Sequence, residues 1–193
     1  MANKGLLIVF SGPSGVGKGT IRNLFIDRPE LNLTYSISMT TRKPRNGEKD
    51  GIDYFFVSQE EFDQKVAENK FLEYAQFVGS SYGTPKDHVE ELRNQGKNVL
   101  LEIDVVGAIQ VQKNCPDCLS IFVVPPSFEE LERRIRGRKS EPEEIILQRL
   151  SKASKELEMV GQYKYVICND DPVLAADLAA LVIYRHIELS KEE

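Results

Sequence analysis

The chain has 193 residues, 41% of them hydrophobic, with 25 Lys and Arg set against 30 Asp and Glu for a formal net charge of −5. That is enough chain for one domain with a sizeable core, and the acidic balance argues against wrapping a nucleic acid, which calls for a basic face. An odd, low count of three cysteines fits a reducing compartment, and neither a signal peptide nor a membrane-length apolar window is visible, so a cytoplasmic protein with no membrane partner is expected.

LLIVF (6–10) reads as a short buried strand closed by glycines. Directly behind it stand Gly12, Pro13, Ser14, Gly15, Val16, Gly17, Lys18, Gly19 and Thr20, and then a helical pattern running to Asp27. A Gly-x-x-x-x-Gly-Lys run between a strand and a helix is the setting of a phosphate-binding loop. Glycines let successive backbone N–H groups turn inward, the helix adds its positive N-terminus, and Lys18 supplies a point charge for the terminal phosphates. The alternative is an ordinary glycine-rich turn, which the lysine and its spacing disfavour. Gly19 occupies the place where Ser or Thr usually ligates magnesium, so no metal-ligating side chain is assigned. Mg2+ is expected to be held by nucleotide phosphates and waters, with carboxylates behind the waters.

YSISMT (35–40) is a weaker strand. Residues 41–84 then break the rhythm with turn residues and charge, and DYFFV and FLEYAQFV read as short strands around the helical SQEEFDQKVAENK. This segment is expected to be a small, partly β insertion. PKDHVEELRNQ returns to helix, and VLLEID (99–104) is a strand ending on Glu102 and Asp104. These acids would face the phosphate loop, or else simply fix neighbouring loops. LSIFVV (119–124) is the next strand and SFEELERRIRG the next helix. The stretch 132–145 mixes five Arg or Lys with four Glu and reads as a surface flap. EEIILQRLSKASKELEMV is helical, YKYVICN (163–169) is a strand, and Asp171-Pro172 opens a last helix with a cap and a proline at the first position. Strand alternating with helix implies an α/β fold, a doubly wound parallel sheet with helices on both faces, which binds ligands at the carboxyl ends of its strands.

Ser38, Arg42, Arg45, Tyr54 and Tyr82 are residue types that hold a phosphate monoester, arginine forks matching phosphate oxygens and tyrosine hydroxyls adding neutral donors. Taken singly the two arginines would be solvated surface charges. Glu73, among aromatics in FLEYAQF, could accept two hydrogen bonds from the guanine edge, a donor pair that adenine lacks. Cys115 and Cys118 have redox-motif spacing but read as incidental loop cysteines, and His88 and His186 as structural or solvated.

The blocks GPSGVGKGT (12–20), SISMTTRKPRNGEKDGIDYFFV (36–57), FLEYAQFVGSSYGTP (71–85), LLEIDVVGA (100–108), RRIRGR (133–138) and NDD (169–171), in this order, resemble the guanylate kinases along nearly the whole chain. The resemblance implies a five-stranded P-loop kinase sheet as core (1–35, 86–128 and 151–193), a mixed-β GMP-binding insertion (about 36–85) and a lid (about 129–150). It implies ATP and GMP as small-molecule substrates, Mg2+ as cofactor, GDP and ADP as products, use of dGMP as well, a place in purine nucleotide metabolism, and a monomer or homodimer. It gives the GMP phosphate to Arg42, Arg45, Tyr54 and Tyr82, with Glu48 close by, and the guanine to Ser38, Glu73 and Thr84, with Asp104 near the nucleoside and Glu102 beside it. Arg134 and Arg138 become lid arginines over ATP, Arg149 another arginine that reaches the phosphates, and Asn169 a contact on the adenine side. The lid departs from the usual GRGTE in reading Gly137-Arg138-Lys139-Ser140-Glu141, and Glu102 stands where some members carry aspartate. Two rivals remain: a P-loop kinase for another phosphorylated metabolite, and a non-catalytic phosphopeptide-binding module of the same shape.

Overall fold

The computed structural model describes residues 4–77, 79–137 and 142–192. Strands β1 (Leu7–Ser11), β2 (Leu33–Tyr35), β7 (Asn98–Glu102), β8 (Leu119–Val124) and β9 (Tyr165–Cys168) form one sheet in the order β2-β7-β1-β8-β9, every neighbouring pair parallel. A second sheet, ordered β4-β3-β6-β5, is mixed and consists of β3 (Met39–Thr40), β4 (Phe55–Phe56), β5 (Phe71–Phe77) and β6 (Ser80–Pro85). The helices are α1 (Lys18–Phe25), α2 (Gln59–Ala67), α3 (Lys86–Asn94), α4 (Val105–Asn114), α5 (Phe128–Arg136), α6 (Glu143–Leu157) and α7 (Pro172–Glu192). No described helix is long and apolar enough to cross a membrane.

Strand β1 is buried on both faces, which is why it reads as an unbroken aliphatic run. Its side chains alternate with the pleat. Ile8 and Phe10 enter one core layer with Ile21 and Phe25 of α1 and Ile183 of α7. Leu7 and Val9 enter the other with Val89 of α3, Val105 and Val111 of α4, and Phe122. The two layers clamp the sheet, leaving the carboxyl ends of β1 and β7 to present their loops.

Two expectations need correction. The strand read over 35–40 is two strands in two sheets: β2 ends at Tyr35, the Ser36 N–H bonds to the Leu100 carbonyl, and the chain then leaves to begin β3. Within the charged stretch 132–145, α5 runs through Arg136 and α6 starts at Glu143, as the helical patterns predict. Its charges pair within α5, Arg133 and Arg134 with Glu130 and Arg136 with Glu132, and across to α6, Arg136 with Glu143. Helix α4 was not anticipated, because VVGAIQVQKN combines β-branched residues with a glycine, all poor helix formers. Asp104 caps it, accepting from the Gly107 N–H at 3.0 Å, and burial of Val105, Ala108 and Val111 supplies the rest.

Candidate active site

The phosphate loop is shaped by three glycines at positive φ: Gly12 (147°), Gly15 (88°) and Gly17 (99°). A Cβ on Gly12 would lie 2.4 Å from the Val123 carbonyl oxygen, and one on Gly17 would lie 2.6 Å from Asn169 Nδ2. Both position and backbone angle therefore demand glycine. Gly12→Ala is expected to lower unfolding stability by about 1–3 kcal/mol. Chemical denaturation checks this, and an unchanged midpoint would mean the loop relaxes freely.

Lys18, the first residue of α1, turns its ammonium back to donate to the carbonyls of Gly12 (2.5 Å) and Pro13 (3.2 Å). Burial pushes its pKa down, while Glu102, Glu156 and Asp104 oppose the shift. Behind the loop, Asn169 Nδ2 donates to the Val16 carbonyl at 2.7 Å, and Arg134 donates to the Asn169 carbonyl at 3.0 Å and the Val16 carbonyl at 3.4 Å. Among the described residues, the buried Asn169 Oδ1 atom finds no hydrogen-bond partner. Arg149 of α6 donates to Ser14 Oγ at 2.9 Å. Gly15, Gly19, Thr20 and Glu102 complete the mouth of the loop. Arg138 lies outside the described residues.

A cleft of about 620 Å³ joins this loop to the second sheet, lined by Gly12, Ser14 and Lys18 on one side and by Ser38, Glu73 and Tyr82 on the other, with Glu102 and Asp104 between them. Glu73 is buried, and its Oε1 accepts from Thr84 Oγ1 at 2.6 Å across the β5–β6 pair. Burial raises its pKa to about 6, with the Thr84 hydrogen bond opposing and Asp104 adding to the rise. Helix α4 positions this carboxylate. Gln110 bonds both the N–H and the carbonyl of Tyr74, at 3.2 and 3.1 Å, and Asn114 donates to the Leu72 carbonyl at 2.9 Å, so β5 is fastened on either side of Glu73. Gly107 makes the approach possible, since a Cβ there would meet Glu73 Oε2 at 2.8 Å.

Farther along the second sheet, Arg42 donates to Glu48 Oε1 at 2.8 Å, and its guanidinium stands 5.4 Å from the ring centre of Tyr54. Tyr54 and Tyr82 meet edge to face at 6.2 Å between centroids. Glu48 also accepts from the Arg45 N–H at 2.7 Å, so it fixes both the turn and the arginine fork. Arg45 itself is exposed. The arrangement thus gathers Arg42, Glu48, Tyr54 and Tyr82, and brings Arg45 alongside through its backbone.

Asp104 serves the fold as well as the cleft, capping α4 with one oxygen and pairing with Lys152 through the other at 3.2 Å. Glu102 pairs with Arg22 of α1 at 2.8 Å. Among the described residues no group of three or more His, Cys, Asp or Glu side chains could hold a metal ion. Sequence reasoning missed Arg22, Lys152 and Glu156. Glu156 is buried, accepts from the Ser14 N–H at 3.4 Å and sits 3.5 Å from Lys152. The signal available was spacing: 149, 152 and 156 fall on one face of a helix. Cys115, Cys118 and Cys168 are free thiols, burial pushing Cys118 up to about 11.

A glycine loop with a lysine at the head of the first helix, seated at the carboxyl edge of a five-stranded parallel sheet, is the construction of the P-loop kinases. The family model described as guanylate kinase matches residues 4–178. The chain is 48% identical over 189 residues to the guanylate kinase of Bacillus subtilis, covering 97% of this chain and 93% of that one. It is 49% identical over 183 residues to the guanylate kinase of Streptococcus pneumoniae, covering 95% and 88%. The crystal structure of guanylate kinase from Anaplasma phagocytophilum matches with a TM-score of 0.71 at 33% identity, over 95% of this chain and 87% of that one. The chain belongs to the guanylate kinase family.

Proposed function

We propose that the protein transfers the terminal phosphoryl group of ATP to GMP, and to dGMP, giving ADP and the guanosine diphosphate. One observation carries the reading: a buried carboxylate, Glu73, held by Thr84, faces the same cleft as Lys18 and the phosphate loop. A carboxylate there costs stability unless a ligand pairs with it. The guanine N1–H and 2-amino groups offer two parallel donors, so guanine satisfies it and adenine does not. Ser38 would add a further contact to the base, with Asp104 near the nucleoside.

The core, the inserted sheet and the lid segment then act as three working parts. Loop N–H groups and Lys18 hold the β and γ phosphates, with Asn169 beneath them on the adenine side. Arg42, Arg45, Tyr54 and Tyr82 orient the GMP phosphate in line, and Glu48 keeps Arg42 extended. Arg134, Arg138 and Arg149 neutralise charge on the group in transit. The acceptor phosphate is already ionised at neutral pH, so positioning and charge stabilisation carry the reaction without a strong base. The donor set fits a magnesium ion bound chiefly through phosphate oxygens and water: Gly19 offers no hydroxyl, and Glu102 stands at the loop mouth. Mg2+ would neutralise charge on the β and γ phosphates when bound.

An ADP-release assay across GMP, dGMP, AMP, CMP and UMP tests this. Turnover confined to the guanine nucleotides is expected, and equal turnover with another acceptor would overturn the guanine assignment. Arg42→Ala removes charge-assisted bonds worth about 1.5–3 kcal/mol, so KM for GMP should rise roughly 10–150-fold while KM for ATP stays put. Steady-state kinetics with each substrate varied checks it, and an unchanged KM for GMP would remove Arg42 from the acceptor site.

A further inference from the structure

We infer that Lys152 is a positioning residue that couples the ATP side of the cleft to the guanine pocket; the inference rests on the function proposed above and adds a residue to it. Lys152 stands one turn beyond Arg149 on α6, and its ammonium lies 3.2 Å from Asp104 Oδ2 and 3.5 Å from Glu156 Oε1. Its two neighbours on the same helix face both grip Ser14 of the phosphate loop, Arg149 at the hydroxyl and Glu156 at the N–H. On one side, then, the lysine belongs to the rigid element that holds the donor loop.

On the other side it reaches the acceptor pocket through α4. Asp104 caps that helix at Gly107, and Gly107 abuts the Glu73 carboxylate. Gln110 and Asn114 of the same helix fasten β5 around Glu73. Lys152 to Asp104 is a side-chain bridge between these two assemblies. Its half-exposed ammonium lines the cleft, so either substrate can alter the bridge. A displacement of α6 when ATP engages Arg149 passes through Asp104 to the start of α4, and guanine binding at Glu73 passes back along the same path. Coupling of this kind is reciprocal between the two ligands.

The test is the GMP dissociation constant by calorimetry, with and without a saturating non-hydrolysable ATP analogue and Mg2+, for wild type, Lys152→Met, Lys152→Arg and Lys155→Met. Lys155 is exposed on the same helix and serves as control. In wild type the analogue is expected to tighten GMP by about 5–150-fold, the usual range of coupling between sites. Lys152→Met should lower that ratio by up to about 5-fold, the worth of a half-exposed ion pair, while Lys152→Arg and Lys155→Met keep it. A merely structural role would change both affinities and leave their ratio intact. An undiminished ratio in Lys152→Met overturns the inference, as does a wild type that binds GMP equally with and without the analogue. Either result leaves the GMP kinase reading standing, whereas failure of wild type to bind GMP at all removes both.

Discussion

Lys18→Ala is expected to lower kcat about 10²–10³-fold, the cost of removing one preorganised charge-stabilising group, without loss of folded protein. The reasoning starts from burial. The ammonium sits in a largely desolvated position that depresses its pKa, and it is held by two loop carbonyls whose other neighbours remain in place. Holding a cation there works against the fold; in the proposed reaction it serves the chemistry by meeting the β and γ phosphates. Removing it should therefore leave the melting temperature unchanged or slightly higher. Steady-state turnover and thermal unfolding of the same preparation separate the two effects. Turnover near that of wild type would remove the loop lysine from the mechanism.

Glu73→Gln is expected to reduce kcat/KM for GMP about 10²–10³-fold and to erase most of the preference for guanine over adenine. Gln can still accept one bond, but its amide nitrogen then opposes the guanine 2-amino group. The same change should stabilise the free protein. Burial raises the carboxyl pKa from 4.5 to about 6. The folded state therefore binds the proton more tightly than the unfolded chain, and the stability this contributes is present below about pH 4.5 and lost as pH rises through about 6. At pH 7 the ionised carboxylate costs on the order of 2 kcal/mol, which the glutamine variant recovers. For the wild type, GMP affinity should weaken as pH falls below about 6, because the protonated acid no longer offers two acceptors; isothermal titration at pH 5 and pH 7.5 of wild type and Glu73→Gln reads this, the variant correcting for protonation of the GMP phosphate over the same range. A glutamine variant with unchanged guanine preference would show that the base is recognised elsewhere.

Much of this was legible in the sequence because its cues are local. Three glycines and a lysine behind an aliphatic run specify a loop whatever the rest of the chain does, and β1 announces itself because both its faces are buried. Helix α4 was hidden because its propensities point the wrong way and only its cap and its packing under β5 make it helical. Its absence from the reading also concealed why Glu73 can be buried, since Gly107, Gln110 and Asn114 all lie on that helix. The split of 35–40 between two sheets is a tertiary event: nothing within the hexapeptide marks the departure after Ser36. The face carrying Arg149, Lys152 and Glu156 was readable as spacing, but its partners Ser14 and Asp104 are distant in sequence.

The most direct test follows the phosphoryl group itself. Incubate the protein with Mg2+, GMP and ATP labelled in the γ-phosphate, then separate the nucleotides. The account predicts label in GDP, formed in step with ADP, and little label in inorganic phosphate. Label recovered only as inorganic phosphate, or retained in ATP while a folded protein binds both nucleotides, would contradict it.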